Sequence, residues 1–157
     1  SRQDHQRQEK TESPTCAAIR VLTVYLIDTN ILSEVLKKRP SPLLIERLAK
    51  TPRASQFTFC ICVLELRYGT QRRPDHDLFW QRIRAELLAR ITVLDLSEKV
   101  AGLAGDLLAR LERRGEPIGL PDVLIAATAL ANGLTVVTAN TRHFRRVPNL
   151  KVENWLA

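Results

Sequence analysis

The sequence predicts an α/β fold: a three-layer α/β/α sandwich on a mostly parallel sheet of about five strands. Three observations carry this. Short β-branched runs alternate with helical runs from residue 21 onward, and strands separated by helices need crossover connections, which make neighbouring strands parallel. The stretch "PDVLIAATALANG" is small or apolar all round, so it belongs between layers. Finally, 157 residues, 45% of them hydrophobic, suit one core and no second domain.

The elements follow in order. Residues 1–20 are polar and lack a period, so they read as a flexible extension ahead of one domain over residues 21–157. "VLTVYLI" is a strand, and the helical stretch "ILSEVLKK" begins just after it. "SPLLIERLAK" is a helix with Ser41 as N-cap and Pro42 at its first position. "QFTFCI" is the second strand, and "CVLELRYGTQ" a helix that ends or bends near Gly69. In the helix "DHDLFWQRIRAELLAR", Trp80, Ile83, Leu87 and Ile91 fall near one face, and "ITVLDL" is the third strand. In "SEKVAGLAGDLLARLERRG", Val100, Leu103, Ala104, Leu107, Leu108 and Leu111 keep helical spacing between a Ser97 cap and a Gly115 stop. The buried helix "PDVLIAATALANG" ends at Gly133, and "LTVVTAN" and "LKVENW" supply the fourth and fifth strands.

The bulk composition narrows the function. A net charge of +7, from 24 Lys and Arg against 17 Asp and Glu, favours a polyanionic partner. Aromatic residues are only 5%, which disfavours binding by base stacking. No run reaches the ~18 apolar residues of a membrane span, Arg20 interrupts "AAIRVLTVYLI", and no signal-peptide order is present. Of Cys16, Cys60 and Cys62, the last two alternate in a strand-like run and read as core thiols on one strand face. No second Cys/His pair has zinc spacing, and a reducing, cytoplasmic home is expected.

Three acids stand out. Asp28 closes the first strand, Glu65 continues a stripe of Ile61, Leu64 and Tyr68, and Asp122 opens an otherwise apolar helix. Each has a plain alternative: a cap for Asp28, solvent or Arg67 for Glu65, and for Asp122 a dipole contact of about 0.3–1 kcal/mol. Strand ends and the first turns of buried helices share one edge of such a sheet, which is where ligands bind. Asn140, after the fourth strand, lies on that edge too and has a turn as its own alternative. Clustered carboxylates need a cation. Hard oxygen ligands, with no His or Cys expected nearby, select Mg²⁺ or Mn²⁺ over Zn²⁺ and point to phosphoryl chemistry.

At "YLIDTNILSE", "VLELRYG", "GLPDVLIAATALANG", "VVTANTRHFRRVPNL" and "KVENW" the chain resembles a PIN domain, more narrowly a VapC-type toxin ribonuclease, from Val24 to Ala157. The resemblance implies a parallel five-stranded sheet and RNA cleavage with Mg²⁺ or Mn²⁺ held by Asp28, Glu65 and Asp122. The ion would activate a water in line with the phosphodiester and leave 5′-phosphate and 3′-hydroxyl ends. The fourth acidic position of the family falls on Asn140, which leaves a three-acid, one-metal site. Thr29, Asn30 and Thr138 resemble its polar supporting shell. The resemblance also implies a homodimer held inactive by a cognate antitoxin. Given that substrate, Arg142, Arg145 and Arg146, just past Asn140, are expected to help hold the RNA backbone near the metal. A non-catalytic RNA- or protein-binding PIN domain is the alternative. A phosphotransferase with Asp28 as nucleophile would want an acid where Asn30 stands.

Overall fold

The computed structural model describes residues 22–157, and the expected 1–20 extension, with Cys16, lies outside the described residues. The strands are β1 (Tyr25–Ile27), β2 (Gln56–Phe59), β3 (Thr92–Leu94), β4 (Thr135–Val137) and β5 (Val152–Glu153). They form one sheet in the order β3-β2-β1-β4-β5, with every pairing parallel. The helices are α1 (Thr29–Val35), α2 (Pro42–Lys50), α3 (Cys60–Thr70), α4 (His76–Glu86), α5 (Glu98–Arg113), α6 (Leu120–Asn132) and α7 (Thr141–Phe144).

Right-handed crossovers put the connections on the two sides of β1 onto opposite faces. Accordingly α3 packs on α1 and α4, and α6 on α5 and α7. The three-layer sandwich follows. Leu26, Ile27, Val136 and Val137 are fully buried at its centre, and Val123, Ala126 and Ala129 of α6 press against them without exposed surface. The winding order reverses between β1 and β4: the chain runs outward from β1 through β2 to β3, then returns to the other side of β1 as β4, where the register pairs Ile27 with Val137. That reversal opens a crevice at the carboxyl edge.

Local signals explain the ends of several helices. Ser41 accepts from Leu44 N, Ser97 accepts from Val100 N at 3.1 Å, and Gly133 closes α6 at φ 64°. Two expectations need correction. Cys60 and Cys62 are not on a strand, because β2 stops at Phe59 and α3 starts at once. A helix turns about 100° per residue, so Cys62 is buried while Cys60 is only half-buried. Helix α3 ends at Thr70, next to Gly69, as its sequence suggests. The fourth helix stops at Glu86, and Leu88–Arg90 is a separate 3-10 turn that still buries Leu87 and Ile91.

Candidate active site

Asp28 sits where β1 becomes α1, with extended backbone (ψ 160°), and its Oδ1 accepts from Thr29 N at 2.7 Å. Its other oxygen accepts from the Thr138 hydroxyl at 2.8 Å and from Asn30 Nδ2 at 3.2 Å. Asn30 in turn accepts from Ala139 N at 3.0 Å, and Thr138 Oγ1 accepts from Asn140 N at 2.9 Å. The loop after β4 is thus stitched to the end of β1. Asp28 is both a cap and a buried, oriented carboxylate, 5% exposed.

Asp122 stands in the first turn of α6, at the same edge. It receives Asn140 Nδ2 at 3.4 Å and lies 3.0 Å from His143 Nδ1. Glu65 lies on α3, half-buried. Its apolar stripe faces outward, not inward as the spacing suggested: Leu64 is 59% and Tyr68 67% exposed. Arg67 is not its partner, since that guanidinium donates to Asp77 at 3.2 Å and stacks over Trp80.

The acids sense one another. Burial pushes the Asp28 carboxyl above its usual range, against the hydrogen bonds it accepts, and the charge of Asp122 adds to the rise. Burial also raises Glu65, with the charges of Asp28 and Asp122 adding and the Thr29 hydroxyl opposing. That hydroxyl is buried beside Glu65 without a fully formed hydrogen bond of its own. Among the described residues no Lys or Arg pairs with Asp28, Glu65 or Asp122. Nor do three such groups among them already close up tightly enough to encircle an ion. The set is therefore an open cluster of oxygen donors that lacks a counter-charge, and a hard divalent cation fits that deficit.

The expectation of no His or Cys near the acids does not hold. His143 touches Asp122, and Cys62 Sγ lies 4.0 Å from Asp28 Oδ1. Burial, together with the Asp28 charge, pushes the Cys62 thiol up to about 11, so it stays a neutral wall of the site. The sequence did hold a signal for His143: it stands three residues after Asn140, about one helical turn. Arg142 and Arg145 are exposed, whereas Arg146 is partly buried and donates to Pro117 O at 2.8 Å.

The PIN domain family model matches residues 25–150. The chain belongs to the PIN domain family. It is 34% identical over 134 residues to Ribonuclease VapC2 of Rickettsia felis, a match covering 84% of this chain and 98% of that protein. It is 35% identical over 136 residues to the tRNA(fMet)-specific endonuclease VapC of Shigella flexneri, covering 83% and 97%. Within the PIN domain family the chain is therefore a VapC-type ribonuclease. Its fold matches VapBC2 from Rickettsia felis bound to a promoter DNA fragment, with TM-score 0.76, 32% identity, and 85% and 99% of the two chains covered. It matches FitAcB from Neisseria gonorrhoeae with TM-score 0.78, 27% identity, and 84% and 98% covered.

Proposed function

We propose that this PIN-domain ribonuclease is a Mg²⁺- or Mn²⁺-dependent endoribonuclease and the toxin of a toxin–antitoxin pair. The observation that carries this is the open carboxylate cluster at the crevice between β1 and β4. Asp28 and Glu65 are both pushed up by burial and by neighbouring acids, and Asp122 completes the set. Asp28 and Asp122 would hold the ion, with Glu65 direct or through water. A bound divalent ion supplies acidification of water and charge neutralisation at the phosphoryl oxygens.

The chain's own residues do the rest. Thr29 N, Thr138 and Asn30 hold Asp28 in one rotamer, and Asn140 lies against both Asp122 and His143. Arg142 and Arg145, exposed just past Asn140, hold the RNA backbone beside the acids. Exposed Leu64 and Tyr68 on α3 and Leu120 on α6 support a homodimer and an antitoxin contact near the site. The VapBC name of the solved relative supports an antitoxin partner here. The free thiols Cys60 and Cys62 fit a reducing cytoplasm, and among the described residues no helix is long and apolar enough to cross a membrane. The test is cleavage of single-stranded RNA with Mn²⁺, with EDTA, and by Asp28→Asn. Activity should appear only in the first case. Metal-independent cleavage, or binding without cleavage under all conditions, would overturn the proposal.

A further inference from the structure

We propose that His143 is a positioning residue for Asp122: its Nδ1–H holds Oδ2 and leaves Oδ1 free for the cation. The inference rests on Asp122 being a metal ligand. The geometry leaves one consistent proton arrangement. His143 Nδ1 lies 3.0 Å from Asp122 Oδ2 and 2.9 Å from Asn140 Nδ2. A neutral imidazole carries its proton on one nitrogen and a lone pair on the other. A lone pair on Nδ1 would face the carboxylate's own lone pairs, so the proton belongs on Nδ1. An N–H there would then oppose the Asn140 amino group. Rotating the carboxamide by half a turn removes that conflict, because its oxygen and nitrogen are near-equivalent in shape, and it gives up only the longer 3.4 Å contact to Asp122. Asn140 Oδ1 then accepts a share of the same proton.

The ring is held in place by anchors at the C-terminal end of α7. Phe144, the next residue, is fully buried, and Arg146 ties the end of the helix to Pro117 in the segment before α6. His143 itself is 41% exposed, so the proton is oriented by its neighbours and not by enclosure. An N–H engaged with Asp122 cannot at the same time coordinate a metal. Through Nδ1 the ring thus acts on a ligand, and removing such a partner costs about 10–100-fold in metal affinity.

Calorimetric titration with Mn²⁺ and with Mg²⁺ tests this on the full chain and on His143→Ala, His143→Asn and His143→Gln. Asn places an amide N–H near the position of Nδ1, whereas Gln reaches towards that of Nε2. Ala and Gln should weaken both ions alike by about 10–100-fold, and Asn should restore near-parental affinity. The proposal is overturned by His143→Ala binding like the parent, by Asn as weak as Ala, or by a much larger loss for Mn²⁺ than for Mg²⁺, which would mark the ring as a ligand. A parent that binds neither ion would remove the metal reading, and this proposal with it. A parent that binds, beside an unaffected His143→Ala, removes this proposal alone. Should the variants fold poorly, ¹⁵N NMR of the imidazole in the metal-free parent decides: a proton on Nδ1 is expected, and a neutral ring protonated only at Nε2 overturns the idea.

Discussion

Asn140→Asp puts a fourth carboxylate into the cluster, and its cost can be worked from the geometry. The amide nitrogen stands 3.4 Å from Asp122 Oδ2 and 2.9 Å from His143 Nδ1. Two negative charges about 3.4 Å apart repel by about 1 kcal/mol in bulk water and about 5 kcal/mol at an effective dielectric of 20. The Asp122 side chain is 22% exposed, so the penalty lies between those limits, and donation from His143 offsets part of it. The metal-free variant should be about 2 kcal/mol less stable and melt about 4–8 °C lower. Mn²⁺ should close most of that gap, because the new charge is one more anionic ligand. Tenfold tighter binding is about 1.4 kcal/mol, and an ion at 100 times its Kd adds about 2.7 kcal/mol to stability. Scanning calorimetry in EDTA and in Mn²⁺, with isothermal titration beside it, reads both effects. A variant that melts with the parent in EDTA and binds Mn²⁺ no better would place Asn140 outside the cluster.

Asp28→Asn should lose at least about 10²-fold in RNA cleavage while remaining folded. Its pH dependence has a definite sign. Asp28 and Glu65 have folded-state pKa values raised above their unfolded ones, so their contribution to stability is complete below the unfolded carboxylate range and is lost as pH rises through the raised values. In EDTA the melting temperature of Asp28→Asn relative to the parent should therefore be most favourable near neutral pH and decline on acidification; a difference flat from pH 8 to 4 would contradict the raised values. Arg142→Ala and Arg145→Ala should each flatten the salt dependence of RNA binding by about 0.7 in log–log slope. Arg146→Ala should leave that slope unchanged and lower stability by about 1 kcal/mol, because it loses its bond to Pro117. Phe144→Ala should cost about 3–5 kcal/mol in denaturant unfolding and weaken Mn²⁺ binding by loosening α7.

The long-period elements could be read from the sequence. The spacing in α5 and the small apolar residues of α6 each satisfy only one arrangement, and the structure adopts it. The join at Phe59 and Cys60 could not be read, because a short apolar run suits a buried strand or a buried helix equally. Glu65 shows another limit: spacing put Leu64 and Tyr68 on its face, but period alone does not say whether that face meets core or solvent. At Asp28 capping and function stood as alternatives, and the carboxylate serves the cap while facing the other acids. His143 escaped notice because its contact with Asp122 spans 21 residues and depends on α7, whose four residues are too few to display a period.

The hydrogen bond from Thr138 to Asp28 joins residues 110 apart in sequence. It also marks a moment in the life of the chain. Asp28 at the end of β1 is made well before β4 and the loop that orients it. At about 5–20 residues per second, those 110 residues take about 6–22 s to synthesise. Throughout that interval the nascent chain carries Asp28 without the hydroxyl that orients it. A growing chain short of Thr138 thus cannot yet hold Asp28 in the orientation that the proposed cleavage requires.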